Sequence, residues 1–265
     1  MHNDFSQLIV VKLGGSIFDA RDTTLADMVS LQKEGCQLVI VHGGAKMVTS
    51  WCAELGIKSQ FYKGERVTDR KSLDVVAAVL AGLANKETVA AITRAGGRAA
   101  GLSGADGGLV KAKVRDAALG YIGEVTAVNP ESLLALLAAG FMPVVSPVSY
   151  NDTPENSEPL LLNVNGDTVA GELAAALRAC RLIYLTDVPG IRGADGKNLD
   201  ALTPEEAQRL LESGVAAGGM IPKIKSCLVA CRAGVTCHIV DGRRPHALSE
   251  AAGGTAAGTT IAGAN

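Results

Sequence analysis

Two lysines, one aspartate and a set of glycine turns carry the chemistry open to this sequence. Lys12 lies inside the apolar run Ile9-Val10-Val11-Lys12-Leu13, which breaks at Gly14-Gly15 and continues with Ser16, a candidate N-cap for the next helix. A lysine in such a strand is costly to bury unless an anion meets it. Glycines beside it let backbone N–H groups approach that anion at the positive end of a helix, which describes a phosphate site. The alternative is a strand lysine whose head reaches solvent beside an ordinary turn. Lys223 falls in the first turn of the helix opened by Met220-Ile221-Pro222. A cation there opposes the helix dipole, so it has either an anionic partner or simple exposure. Asn163, Asn165 and Asp167 alternate just before an Ala-rich helix. If that segment is extended, the three project to one side and suit a ligand or a second catalytic group. Asp167 also suits a plain N-cap. Arg66, in a polar stretch, is either solvated or forks onto a carboxylate.

These residues need elements to position them. The run at residues 9–13 reads as a buried parallel strand, and Gln37–Val41 as a second one ending in His42-Gly43-Gly44-Ala45. Amphipathic helices follow each, so a strand–glycine–helix unit recurs. Side by side, the two strands would put both glycine turns at one sheet edge, where α/β proteins bind ligands. Neither turn has the GxxxxGK[ST] or GxGxxG spacing. Residues 57–70 read as a polar loop, and Ser72–Ala95 as a long apolar helix. Strands are expected at Ala99–Leu102, within 109–128, at Met142–Val148, Leu182–Leu185 and Val235–Asp241. Helices are expected at Pro130–Ala139, after Asp167, at Pro204–Ser213 and from Met220 to Ala233.

The chain has 265 residues, 48% of them hydrophobic, 20% charged and 3% aromatic, with a formal net charge of −2. That is a globular profile, with no charge excess for nucleic acid or an anionic membrane and few rings for base stacking. No run reads as a membrane helix of about 18 apolar residues, and residues 1–8 lack signal-peptide character, so a cytoplasmic protein is expected. Six cysteines at 36, 52, 180, 227, 231 and 237 form no CxxC pair and suit small buried thiols better than a metal site.

Taken together, the chain resembles the amino acid kinase family over nearly its whole length. The motifs that carry the resemblance, in the family's order, are Val11-Lys12-Leu13-Gly14-Gly15, Val41-His42-Gly43-Gly44, Gly64-Glu65-Arg66-Val67-Thr68, Ala81-Gly82-Leu83-Ala84-Asn85-Lys86, Asn163-Val164-Asn165-Gly166-Asp167, Leu185-Thr186-Asp187-Val188-Pro189-Gly190 and Gly218-Gly219-Met220-Ile221-Pro222-Lys223. The resemblance implies a three-layer α/β/α sandwich with a mainly parallel central sheet. It implies a lobe at 1–178 for the acylamino acid and dimerisation, and a lobe at 179–265 for the nucleotide. It further implies ATP-dependent phosphorylation of the γ-carboxylate of N-acetyl-L-glutamate, an acyl phosphate product, a place in arginine biosynthesis, Mg2+ carried by the nucleotide, and a homodimer.

Carried over residue by residue, Lys12 and Lys223 would stabilise charge on the transferred phosphoryl group and leaving phosphate, with Asp167 orienting them. Gly14 and Gly15 would donate N–H groups to phosphate. Gly44, Ala45, Arg66 and Asn163 match the acylamino-acid contacts, and Asp187, Val188, Gly190, Ile191, Ala216 and Ala217 the adenine and ribose side. Ala45 departs from the family, which usually has a third glycine there; a positive φ would strain alanine. Arginine-inhibited members carry a helix before the first strand, and here that strand begins at about residue 7, so insensitivity to arginine is expected. A kinase acting on α-aminoadipate or glutamate presented on a carrier protein, and a non-catalytic binding module on the same fold, are the alternatives.

Overall fold

The computed structural model describes residues 7–14, 23–58, 60–62, 65–154, 158–255 and 257–263. The chain opens with β1 (Leu8–Leu13), α1 (Thr24–Lys33), β2 (Gln37–His42) and α2 (Ala45–Glu54), so the strand–turn–helix unit does recur. A hairpin of β3 (Gln60–Tyr62) and β4 (Glu65–Val67) follows where a loop was expected. Next come α3 (Arg70–Val76), a π-helical stretch (Ala77–Ala84) and α4 (Asn85–Arg94). They form one continuous helix of 25 residues. β5 (Ala99–Gly104), β6 (Val110–Val114), β7 (Gly123–Val128), α5 (Glu131–Ala138) and β8 (Met142–Asn151) lead to β9 (Leu161–Asn163) and α6 (Gly166–Leu177). The remainder is β10 (Arg181–Thr186), β11 (Ile191–Arg192), β12 (Asn198–Leu199), β13 (Ala201–Leu202), α7 (Pro204–Glu212), α8 (Met220–Arg232), β14 (Thr236–Asp241), α9 (Ala247–Gly253) and β15 (Gly258–Ile261).

The main sheet has the order β13-β15-β14-β10-β1-β2-β8-β6-β7, with β5 and β9 also paired to β8. From β14 to β8 every neighbour is parallel; β7, β9 and β15 join antiparallel. Leu13 pairs with His42, which places the turns after β1 and β2 side by side at the carboxyl edge.

Alternate residues of β1 face two different cores, as strand geometry requires. Leu8 and Val10 pack with Leu173 of α6 and Ile224 and Leu228 of α8. Ile9, Val11 and Leu13 pack with Met28 of α1, Ile92 of α4 and Leu248 of α9. This is the expected three-layer sandwich. A third cluster joins Val48 and Cys52 of α2 to Val76, Val79 and Leu80 and to Val148 of β8.

Two expectations need correction. The Arg70–Arg94 helix is long and apolar enough to cross a membrane, with a mean hydropathy of 1.5 over its most apolar window, against the reading that no run approaches that length. Much of it is buried against α2 and β8, as a core helix would be. The hairpin β3–β4 was missed because three-residue strands carry too little alternation to register. Ser16 and Gly15 lie outside the described residues.

Candidate active site

Lys12 shares the sheet face of Leu8 and Val10, so it points toward α6 from the end of β1. It meets Asp167 in the first turn of α6: Lys12 Nζ lies 2.6 Å from Oδ1. Lys223, in the first turn of α8, donates to Oδ2 at 3.0 Å and to the Gly219 carbonyl at 3.2 Å. The three side chains are only 11%, 7% and 16% exposed. Burial pushes the Asp167 carboxyl up, but the Lys12 and Lys223 ammonium groups outweigh it and hold the pKa below its ordinary value. Two buried cations on one carboxylate leave a net positive charge, and an incoming anion would complete the balance. The anionic partner foreseen for both lysines therefore includes Asp167 itself.

A cavity of about 390 Å³ opens beside this cluster, within the range of small-molecule sites. Its polar end is formed by Lys12, Asn163, Asn165 and Asp167, and its apolar wall by Val48, Val76, Leu80, Ile122 and Val164. Gly44 and Ala45 close one side. Gly44 has φ +153°, and a Cβ there would stand 2.6 Å from Leu80 Cδ2. Ala45 is not among the residues with positive φ and opens α2, so the missing third glycine costs the backbone nothing here.

Behind this turn, His42 is buried and burial holds its imidazole pKa below the ordinary value. Asn85 Nδ2 lies 3.1 Å from His42 Nε2 and donates to the carbonyls of Leu102 and Val144 at 3.2 and 2.9 Å. Carbonyls only accept, so the amide nitrogen must face them; its two protons are shared among the three contacts, and Nε2, facing a donor, is not the protonated ring nitrogen. That leaves the proton on Nδ1, where it reaches the Gly43 carbonyl at 2.8 Å. The imidazole thus ties the first glycine of the turn to the long helix.

The structure brings the three alternating polar residues to one cavity, though not by strand alternation. Asn165 is the N-cap of α6 and accepts from the Asp167 N–H at 2.7 Å, so the helix begins between them and breaks the alternation. Asp167 is not a cap. Asn163 reaches the cavity from β9, with its amide nitrogen donating to buried Thr68 Oγ1 at 3.1 Å. Gly14 does not offer its N–H to a phosphate in this arrangement. That group donates to the Leu185 carbonyl at 3.0 Å, and a Cβ on Gly14 would stand 2.8 Å from the same oxygen. The glycine permits close approach of the β1 end to β10. Arg66 is in β4 opposite Phe61, and its side chain lies outside the described residues.

Asp187, Val188, Gly190 and Ile191 follow β10, and Ala216 and Ala217 precede α8; none lines the cavity beside Lys12. Asp187 and Ala217 are exposed, whereas the Ile191 and Ala216 side chains belong to the core. The Ile191 N–H donates to Thr259 Oγ1 at 2.8 Å. Among the described residues no group of three His, Cys, Asp or Glu side chains is placed to hold a metal, and all six cysteines are free. Sequence reasoning missed the apolar wall and the buried Tyr184 behind the cluster. Tyr184 stands opposite Lys12 in register and was readable only as another strand residue.

The sequence matches the model of the amino acid kinase family over residues 7–241. It is 48% identical to an acetylglutamate kinase of Dehalococcoides mccartyi over 265 residues, covering 99% of this chain and 97% of that protein. It is 41% identical over 259 residues to an acetylglutamate kinase of Methanothrix thermoacetophila, covering 92% and 88% of the two chains. Among solved structures, a protein of Streptococcus mutans UA159 superposes with a TM-score of 0.81 at 27% identity, over 98% of this chain and all of that one.

Proposed function

The chain belongs to the amino acid kinase family, and from that premise we propose how its cavity works. The protein is a kinase that uses ATP to phosphorylate the γ-carboxylate of N-acetyl-L-glutamate, a step of arginine biosynthesis; its curated relatives carry that activity in their names. The observation that carries the site assignment is the Lys12–Asp167–Lys223 cluster, with its excess positive charge, at the mouth of a cavity polar at one end and apolar along its wall.

In this reading a γ-carboxylate oxygen attacks the terminal phosphorus of ATP, the bond to the bridging oxygen breaks, and ADP leaves with that electron pair. A side-chain carboxylate with a pKa near 4.3 is already ionised at neutral pH, so no general base is required. Positioning and charge stabilisation dominate such a transfer. Lys12 and Lys223 face the oxygens that gain charge, and Asp167 holds the two ammonium groups at a fixed spacing. Asn163, Gly44 and Ala45 bound the acylamino-acid pocket, with Arg66 assigned to its α-carboxylate. The apolar wall suits the methylene chain and acetyl methyl.

The nucleotide belongs on the side of Asp187, Val188, Gly190, Ile191, Ala216 and Ala217, with Mg2+ riding on its phosphates and Gly15 near them. We read residues 1–178 and 179–265 as the two functional lobes of a cytoplasmic homodimer. Trp51 on α2, Leu55 just after it and Leu83 on the π-helical stretch are the exposed apolar side chains to test for the dimer contact by light scattering.

The deciding assay is ATP turnover with N-acetyl-L-glutamate and hydroxylamine trapping, for the wild type and Lys12→Ala. A hydroxamate that forms with this substrate and drops by at least about 100-fold in the variant is expected, as for loss of a preorganised charge. Hydroxamate formation only from carrier-linked aminoadipate or glutamate would replace the substrate. Nucleotide binding without any hydroxamate would replace the enzyme by a binding module.

A further inference from the structure

The ion cluster depends on two helices from different parts of the chain arriving at one spacing, and their crossing is built around a side chain that touches none of the reacting groups. Tyr184 is fully buried in β10 and pairs in register with Lys12. Its hydroxyl lies 3.0 Å from the backbone carbonyl of Asp167 in the first turn of α6, and it also meets Ser226 Oγ. Ser226, in α8, lies 2.8 Å from the Pro222 carbonyl and 2.9 Å from that of Lys223. Each hydroxyl has one proton, so these contacts are alternatives along one chain. Either Ser226 donates to the Tyr184 oxygen while Tyr184 donates to the Asp167 carbonyl, or Tyr184 donates to Ser226 while Ser226 donates back to the Pro222 or Lys223 carbonyl. In either direction the chain ties together the two helix turns that carry Asp167 and Lys223.

The crossing point is equally specific. A Cβ on Gly171 of α6 would stand 2.6 Å from Ser226 Cβ and 2.7 Å from its carbonyl oxygen, so only glycine allows α6 and α8 to approach this closely. Asp167 lies four residues before Gly171, and Lys223 three before Ser226. Helical side chains lean toward the N-terminus, so each charged group projects from one turn before the crossing into the gap between the helices. Burial keeps the Tyr184 hydroxyl protonated far above its ordinary range, so the strut holds its proton throughout the working pH range.

We infer that Tyr184 is a positioning residue for phosphoryl transfer: with Ser226 and Gly171 it locks the first turns of α6 and α8 at the separation that sets the Asp167 carboxylate between Lys12 and Lys223. The inference rests on the reading of that cluster as the transfer centre. The lock acts on the spacing of the charges at the cavity's polar end and not on its apolar wall of Val48, Val76, Leu80, Ile122 and Val164. Its loss therefore lowers kcat and leaves substrate binding nearly intact, since small misplacements of catalytic groups are expensive in rate.

The test uses Tyr184→Phe, Ser226→Ala and the double variant, assayed well below their measured Tm. Each single change is expected to lower kcat by about 10-fold with both KM values within about twofold, and the double variant to fall no further than the worse single, since both groups act as one unit. A second readout does not depend on turnover. Acetic anhydride labelling of Lys223, scored by mass spectrometry against exposed Lys225, is expected to rise in the variants as the ion pair loosens. Wild-type kcat in Tyr184→Phe with a lowered Tm would reduce the tyrosine to a structural role and overturn the inference. So would a rise in KM at unchanged kcat, or unchanged Lys223 labelling. If Tyr184→Phe does not fold, Ser226→Ala decides on the same terms. A wild type inactive toward N-acetyl-L-glutamate would sink the substrate reading, while the labelling ratio would still decide the lock.

Discussion

Asp167 is the residue on which the site's electrostatics turn. Its oxygens each face one ammonium group, and without its charge Lys12 and Lys223 would repel across a buried gap. Asp167→Asn keeps the shape and removes the charge. It is expected to cut kcat by about 10²–10³, with a larger effect than Asn163→Ala, which alters the cavity wall and should act mainly on the acceptor KM. Steady-state kinetics on both variants checks this, and equal effects on kcat would argue against Asp167 as the organising charge. The pH dependence has a definite sign. Asp167 has its pKa held below the ordinary 3.8, so its stabilising contribution is complete above that value and disappears only as pH falls through the lower folded value. Between pH 6 and 8 a profile of kcat should therefore show no limb from this carboxylate. Lys12 was legible because a charge interrupts an apolar strand. Asp167 was legible as polar and near a helix start, but its pairing with both lysines depends on residues 155 and 56 positions away and cannot be read locally.

At the scale of elements, the turn between β2 and α2 is held from two sides. The π-helical stretch brings Leu80 against Gly44, and α4 brings Asn85 beneath His42. Gly44→Ala introduces both a φ that L residues rarely adopt and a Cβ 2.6 Å from Leu80. It should destabilise by about 1–2 kcal/mol and raise the KM for the acylamino acid. Adding Leu80→Ala relieves the clash but not the φ, so only part of the loss should return; full recovery in thermal melts would assign the whole effect to packing. Asn85→Ala removes the two amide protons shared among two carbonyls and His42 Nε2, and is expected to cost about 3 kcal/mol. A Tm within a degree of wild type would show that the network carries no weight. The parallel strands announced themselves as apolar β-branched runs, and the glycine pairs marked their ends. The π-helical stretch did not, because its extra residue per turn leaves no mark in an Ala- and Leu-rich segment that is apolar on every side.

Across the whole molecule the sandwich was legible because a parallel sheet buried on both faces demands runs such as Leu8–Leu13 and Gln37–His42, with amphipathic helices between them. Register was not legible, and register is what sets Tyr184 opposite Lys12 and His238 opposite Ile183 and Thr260. That last placement makes the fold acid-sensitive in a window well above the carboxylates. Burial, and then the charge of Arg181, push His238 down to about 4 from an ordinary 6.5, and burial also pushes His42 down. Above about pH 7.5, a unit over the ordinary value, both histidines are essentially neutral in folded and unfolded chains, so they contribute almost no pH dependence. As pH falls from there toward 4 the unfolded chain takes up protons that the folded chain refuses, and stability declines. For His238 alone the decline amounts to about 3 kcal/mol by pH 4. Urea unfolding at pH 7.5, 6, 5 and 4.5 should show this slope in the wild type and a shallower one in His238→Gln, whose side chain does not titrate. Parallel slopes in the two proteins would place the acid sensitivity elsewhere and remove the buried imidazole from the account.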